Sequence, residues 1–154
     1  MESFSLRRLA PAAAAVFLGI YAVARVDLYF RGRSAYLEGE KYLAWEASPG
    51  LKAAHFDSTL AATSARLIGE RAAGRLSEAE LAERLELARF ERDYRVSESS
   101  LKYAFVWFQT VVELFTPPET KWTILARSKM SETRERWKKE LDAQKIPYQD
   151  YMLE

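Results

Sequence analysis

The feature that most constrains this chain is an uncharged apolar stretch close to its start. Residues 9–24 read LAPAAAAVFLGIYAVA, and Arg7 and Arg8 directly precede them. A helix that crosses a bilayer needs about 20 predominantly apolar residues, and the stretch reaches that length by continuing through Arg25 to Phe30. An arginine at the edge of a span can extend its guanidinium to the interface. The pattern therefore predicts an N-terminal transmembrane helix.

Within this predicted anchor, the large apolar side chains are expected to face lipid. They are Leu9, Val16, Phe17, Leu18, Ile20, Tyr21 and Val23. Tyr21, Tyr29 and Phe30 suit the aromatic belt that forms at membrane interfaces.

Two other interpretations of the same stretch stay open. Arg7-Arg8, the apolar run and Ala22-Val23-Ala24 also have the layout of a secretory signal peptide. Cleavage after Ala24 would release an exported, soluble helical binding protein. A buried helix of a soluble protein is the third interpretation, and a run of 10–14 apolar residues would suit it better. The signal-like layout favours a cytoplasmic N-terminus and an exported domain.

The charge balance separates the anchor region from the rest of the chain. The sequence has 23 basic and 22 acidic residues, a net charge of +1, which gives no reason to expect a nucleic-acid partner. Residues 1–33 contain five arginines against one glutamate and one aspartate, a net charge of +3. This excess flanks the apolar stretch, where it would meet anionic lipid head groups.

The residue types needed for most enzyme sites are scarce. The chain has no cysteine, which excludes disulfides, thiolate nucleophiles and Cys-based metal sites. His55 is the single histidine, and helical spacing predicts that it is solvated. The sequence has no Gly-rich phosphate loop, HExxH or GxSxG motif. We therefore predict a non-enzymatic protein with no catalytic residues, no cofactor and no metal site.

After the anchor, apolar residues recur at the three- and four-residue spacing of amphipathic helices. Gly32 is expected to loosen the exit from the membrane, so that a separate short helix follows. Ser77 and Glu80 have the spacing of a capping box, with Leu76 and Leu81 as its hydrophobic staple. The predicted helices cover residues 34–47, 51–73, 78–96, 101–115 and 118–143.

Residues 101–115 are expected to form the centre of the helical domain. One apolar face consists of Leu101, Phe105, Phe108, Val112 and Phe115, and a second consists of Tyr103, Trp107, Val111 and Leu114. The following helix is expected to turn Trp122, Leu125, Ala126, Met130, Trp137 and Leu141 inward. The predicted fold is all-α, with a single N-terminal transmembrane helix followed by a small domain of helical hairpins. The predicted division is an anchor over 1–30, a helical domain over 31–146 and an aromatic tail over 147–154.

Residues 103–130, YAFVWFQTVVELFTPPETKWTILARSKM, resemble the junction between two tetratricopeptide-type (TPR-like) repeats. Such repeats have a helix that ends before a proline and a new helix with an early Trp and a small residue one turn later. Pro117, Trp122 and Ala126 match this pattern, although no matching motif occurs near residue 83. The resemblance implies paired antiparallel helices and a docking or peptide-binding role.

Two surfaces are candidates for binding a protein partner. The basic face contributes Arg134, Lys138 and Lys139, and the aromatic tail contributes Tyr148, Tyr151, Met152 and Leu153. Aromatic residues, Met and Arg are enriched at interface cores. The tail has an alternative role, as a strap that folds back on the helix from Trp122 to Trp137. The expected function is a membrane-anchored adaptor or accessory subunit whose partners are lipid and other protein subunits.

Overall fold

The computed structural model describes residues 6–153, and it describes all of their side chains except those of residues 6–10 and 12. It contains five α-helices and a short 3-10 turn, and no strand occurs among these residues. They are α1 (Leu6–Ala47), α2 (Pro49–Ala72), α3 (Glu78–Ser97), α4 (Ser100–Leu114), α5 (Lys121–Ala143) and the turn Asp150–Leu153. The predicted all-α class is confirmed.

The chain forms two compact units. Unit 1 comprises Met1–Glu40 and Ala104–Glu154, and unit 2 is Lys41–Tyr103. The boundaries between the units fall inside α1 and α4, so each of these helices contributes residues to both.

Helix α1 continues without interruption through Gly32, so the break expected there does not exist. A glycine inside a helix costs only about 1 kcal/mol relative to alanine, and packing against α4 outweighs that cost. Gly32 is buried, and a Cβ built on it would lie 3.6 Å from the Cβ of Phe115. This distance is an ordinary van der Waals contact, so the position would also accept an alanine, and the glycine does not end the helix.

In unit 1, α1 and α4 run antiparallel. Gly32 lies beside Phe115. Two turns further along α1, Gly39 lies beside Phe108. Helix α5 then runs in the same direction as α1. Its first turn places Trp122 5.5 Å from the Tyr36 ring, and its later part places Trp137 5.7 Å from the Phe105 ring. Phe108 and Ala126 are fully buried at the centre of these three helices.

The predicted faces of α4 and α5 are partly wrong. On α4, Leu101, Phe105, Phe108 and Val111 are buried as predicted, but Val112 is only half-buried and Leu114 is exposed. On α5, Leu125 is 45% exposed although it was expected inside. Ala126 is fully buried as predicted, and Thr123 and Thr133 are buried although they were not expected inside. A single helical period cannot tell which of two adjacent positions lies nearer to the neighbouring helix.

The start of α5 also differs from the expected Pro118. Thr120 is the N-cap residue, and its hydroxyl accepts a hydrogen bond from the backbone N–H of Thr123. The Thr123 hydroxyl in turn accepts one from the backbone N–H of Thr120, at 2.8 Å. A threonine at the third helical position thus completes a capping box, in the role more often filled by Glu or Gln.

Unit 2 is built on an antiparallel hairpin of α2 and α3. Gly74, with φ of 72°, allows the left-handed turn that ends α2. Ser77 then caps α3 and forms the predicted capping box with Glu80, and the staple residue Leu76 is buried. The last part of α1 adds Trp45, which is buried with its ring 5.7 Å from that of Phe56.

The closest approach in unit 1 gives a direct test of the packing. A Cβ built on Gly39 would lie 2.6 Å from Cε1 of the fully buried Phe108 ring. Overpacking of this kind costs about 1–3 kcal/mol, against a gain of about 1 kcal/mol in helix propensity. We expect Gly39→Ala to lower the melting temperature, measured by circular dichroism in detergent micelles.

The matched control is Gly69→Ala in α2, where a built Cβ meets nothing within 4 Å. There the propensity gain is unopposed, so the melting temperature should rise or stay level. A melting temperature for Gly39→Ala at or above that of the unmodified chain would show that α4 does not approach α1 this closely.

Candidate membrane and partner interfaces

The first part of α1 exposes its apolar side chains in every direction. Phe17 is 73% exposed, and the remaining large side chains are all more than half exposed: Val16, Leu18, Ile20, Tyr21 and Val23. The side chain of the predicted anchor residue Leu9 lies outside the described residues. Among the helices of the described residues, α1 is the one that is long and apolar enough to span a membrane. Its apolar part has a mean hydropathy of 1.6. The core helix of a soluble protein would be mostly buried, but none of this apolar stretch is buried.

The connection between α4 and α5, residues 115–120, lies beside α1 at the end of its apolar part. Pro117 and Pro118 share the lining of a cavity of about 200 Å³ with Tyr21, Arg25 and Leu28. The Arg25 guanidinium donates a hydrogen bond of 3.2 Å to the Tyr21 hydroxyl and lies 5.7 Å from the centre of that ring. The first charged residue after the apolar run is thus held along the helix.

One helical level further along, aromatic and basic side chains surround Trp122. Its ring lies 6.2 Å from that of Tyr29. Two cations face the same ring, with Lys121 Nζ at 4.4 Å and Arg33 Cζ at 5.8 Å from its centre. Cation–π contacts of this kind hold long basic side chains close to an aromatic surface. The sequence indicated the aromatic residues of α1 but not their contact with α5.

The C-terminal tail divides its four candidate residues between two environments. Leu153 is only 2% exposed and Tyr148 is half-buried, whereas Tyr151 and Met152 are exposed. The 3-10 turn Asp150–Leu153 turns Leu153 into unit 1 and leaves its neighbours outside. The tail therefore folds back on its own unit while presenting two side chains to the surroundings.

Of the three basic candidates, Lys138 is the one that the structure joins to the tail. Its Nζ lies 2.8 Å from Oδ1 of Asp150. The hydrogen bond to Lys138 holds the pKa of the Asp150 carboxyl below its ordinary value of 3.8, and the same contact raises the pKa of Lys138. Arg134 is half-buried, and Lys139 is exposed. The Lys138 ammonium group is thus engaged in an ion pair with the tail, whereas the Lys139 side chain is accessible to a partner.

Sequence analysis missed an apolar stripe on the outer side of α3. Leu87 and Phe90 are 63% and 68% exposed, and Tyr94 is also exposed. These residues follow one another at spacings of three and four, so they share one helix face. Leu85 and Ala88 are half-buried, whereas Phe90 is exposed. The signal was available, because Leu87 lies about 200° around a helix from Leu85.

The groove between α2 and α3 has a volume of about 230 Å³ and an apolar floor that includes Phe56, Leu60 and Ala88. Arg92 lies along it and forms ion pairs with Asp57 on the other helix, at 2.7 Å, and with Asp93. The groove is therefore bridged by an interhelical ion pair, and its residues join the two helices of the hairpin.

One cluster of ionisable groups occurs in unit 2, and its contacts favour permanently charged forms. Glu98 Oε2 lies 3.0 Å from Lys102 Nζ, and the backbone carbonyl of Glu98 accepts a hydrogen bond from the buried Lys52. The hydrogen bond from Lys102 lowers the pKa of Glu98, and Glu98 raises that of Lys102. General acid–base catalysis needs a pKa near the working pH, and these shifts move both groups away from neutrality.

No group of histidine, cysteine, aspartate and glutamate side chains within the described part of the chain has the arrangement of a metal site. His55 is exposed, and its ring lies 5.0 Å from that of Trp45.

Comparison of the chain with known protein families, with curated proteins and with solved structures finds no match.

The folded-back tail yields a testable prediction. Replacing a buried leucine by alanine costs about 2–5 kcal/mol in a core, and less where a terminal segment can detach from the rest. We therefore expect Leu153→Ala to release the tail, so that chymotrypsin cleaves at Tyr148 and Tyr151 several-fold faster. Met152→Ala, which removes a 56% exposed side chain, should leave the cleavage rate unchanged. Equal rates for the two variants would contradict docking through Leu153.

Proposed function

We propose that this protein is a non-enzymatic, membrane-anchored helical adaptor, an accessory subunit of a membrane-associated assembly. The observation that carries the proposal is the uncovered apolar stripe of Leu87, Phe90 and Tyr94 on α3. Exposed apolar surface of this kind is typical of protein interaction sites. The anchor restricts such a surface to the membrane plane, so its partner is expected to be a membrane protein or a protein held at the membrane.

Two further features support a docking role. Tyr151, Met152 and Lys139 present a second group of accessible side chains at the other end of the chain. The resemblance of residues 103–130 to TPR-like hairpins agrees with a non-catalytic function, and the matching small residue Ala126 is fully buried. Close helix packing at that position is what the resemblance implies.

The alternative proposal, a soluble exported protein released after Ala24, is less well supported. The helix continues through Ala24 in both directions. Cleavage there would also remove Tyr21 and Ala24 from their contact with Pro117 and Pro118. An uncleaved anchor keeps these contacts.

For the topology, we propose a cytoplasmic N-terminus and an exported helical domain. The chain has no cysteine, so a single introduced cysteine can be labelled without background. Met152→Cys, at an exposed position, should react in intact cells with a maleimide that does not cross membranes. Labelling that requires prior lysis of the cells would reverse the proposed orientation.

The adaptor proposal predicts that one protein contacts the α3 stripe in the cell. A photo-crosslinking amino acid placed at Phe90 should form one discrete crosslinked species in membranes from the native organism. The control position is Arg84, which is also exposed and lies about 120° around the helix. It should form much less of that species.

A second comparison separates binding from folding. Leu87→Ser together with Phe90→Ser changes two exposed side chains, so stability should change by no more than about 0.5 kcal/mol for each. For this comparison the photo-crosslinking amino acid is placed at Tyr94, with and without the double substitution. The double variant should lose the crosslinked species and keep the same melting temperature. Equal crosslinking at Phe90 and Arg84, or none at either, would oppose the adaptor function.

A further inference from the structure

We propose that the connection between α4 and α5 is a second membrane contact. Leu114, Pro117 and Pro118 would enter the interface of the leaflet in which the anchor ends, and Arg25, Arg33 and Lys121 would bind anionic phospholipid head groups there. This inference rests on the proposed membrane anchoring by α1. It adds a specific lipid-binding surface formed by residues about 90 positions apart in the sequence.

The first argument is the depth at which the connection lies. The uncharged run of α1 ends at Ala24, and a span of about 20 residues that includes this run ends near Leu28. Pro117 and Pro118 line one cavity with Tyr21, Ala24, Arg25 and Leu28. Because a helix rises about 1.5 Å per residue, these α1 residues cover the last 10 Å or so of the span. A segment that lines a cavity with them lies in the outer part of the acyl-chain region, at its boundary with the head groups.

The second argument is the chemistry of the side chains at this depth. Leu114, the last residue of α4, is 69% exposed, and Phe30 on α1 is also exposed. Pro117 is exposed and carries no backbone N–H. Apolar side chains and a backbone position without a donor enter the boundary between head groups and acyl chains at little cost. Tyr21, Tyr29 and Trp122 supply the amphipathic rings that are enriched at the same level.

The third argument is the charge around this surface. Arg31 pairs with Asp27 at 3.0 Å, and Arg127 pairs with Glu119 at 2.8 Å. Asp27 and Glu119 are therefore neutralised, whereas Glu113 at the end of α4 accepts a hydrogen bond from the neutral Gln109 amide.

Arg25, Arg33 and Lys121 instead lie beside aromatic rings. Such contacts orient these cations without neutralising them. The head-group layer is about 6 Å thick on each side of a bilayer, so it contains about four residues of α1 beyond Leu28. Those four residues are 29–32, so Arg33 and the Trp122 cluster lie at the outer edge of this layer, and Arg25 can reach the layer by extending its side chain.

The experiment places an environment-sensitive fluorophore on single cysteines introduced into the full chain, in nanodiscs holding one protomer each. The three positions are all exposed: Phe17 on the anchor, Leu114 at the proposed contact and Met152 on the tail. Met152 is the aqueous control, because Asp150 contacts Lys138, which lies 16 residues along α5 from Trp122. The labels at Phe17 and Leu114 should be quenched by spin-labelled lipid and protected from aqueous iodide, and the Met152 label should behave in the opposite way.

The outcomes separate the inference from the proposed function. Lipid quenching at Phe17 with iodide quenching at Leu114 would overturn the second contact and leave the anchor in place. Iodide quenching at Phe17 would overturn the anchor, and the inference with it. Because each disc holds one protomer, protection of Leu114 by a second copy of the chain does not arise.

Lipid selectivity tests the basic side chains. Discs formed from a mixture of phosphatidylglycerol and phosphatidylcholine are dissolved in mild detergent, and the lipid that remains bound to the protein is measured by mass spectrometry. Arg33→Gln with Lys121→Gln should lower the retained phosphatidylglycerol roughly two-fold. The control pair Lys139→Gln with Lys145→Gln removes the same charge near the end of α5 and should leave the retention unchanged. An equal loss for both pairs, or no loss for either, would overturn head-group binding at this site.

Discussion

The contact between Gly39 and Phe108 is the interaction on which unit 1 depends. A glycine at position 39 leaves room for the phenylalanine ring to lie directly on the α1 backbone, and the ring is fully buried there. This approach fixes the register between α1 and α4, and Gly32 lies beside Phe115 at an ordinary van der Waals distance. Once α4 is placed, α5 can cover both helices through Trp122 and Ala126. The helix that carries the exposed apolar stretch therefore also forms part of the folded core of unit 1.

This double use of α1 has a physical consequence for the proposed function. A membrane anchor joined through a loose linker would leave its domain free to rotate and to tilt. Here the anchor and the core share one uninterrupted helix from Leu6 to Ala47, and packing against α4 and α5 holds that helix from about Tyr29 to Gly39. Unit 1 is thereby restrained relative to the anchor. The proposed lipid contact at Pro117 and Pro118 would restrain it further, since two points of attachment limit tilting more than one.

Three ion pairs stabilise contacts within the two units. Arg92 joins α2 to α3 through Asp57, Glu98 is held by Lys102, and Asp150 is held by Lys138. In the Glu98–Lys102 and Lys138–Asp150 pairs, the pKa of the carboxyl group is lowered and that of its partner is raised. Such pairs stay ionised near neutral pH and stabilise contacts between segments. The proposed adaptor function would instead use the large apolar side chains that remain exposed, above all Phe90.

The sequence by itself determined the elements whose causes are local. The length of the apolar stretch predicted α1 as a membrane-spanning candidate, and Ser77 with Glu80 predicted the start of α3, because a cap depends only on residues three positions apart. The tertiary structure decided whatever depends on a neighbouring helix. The sequence could not show that Gly32 continues a helix, because the reason lies in Phe115, 83 positions away. It also could not show that Leu153 is buried while Phe90 and Leu125 are exposed. An amphipathic pattern shows that a face is apolar, but only the arrangement of the other helices decides whether that face is covered.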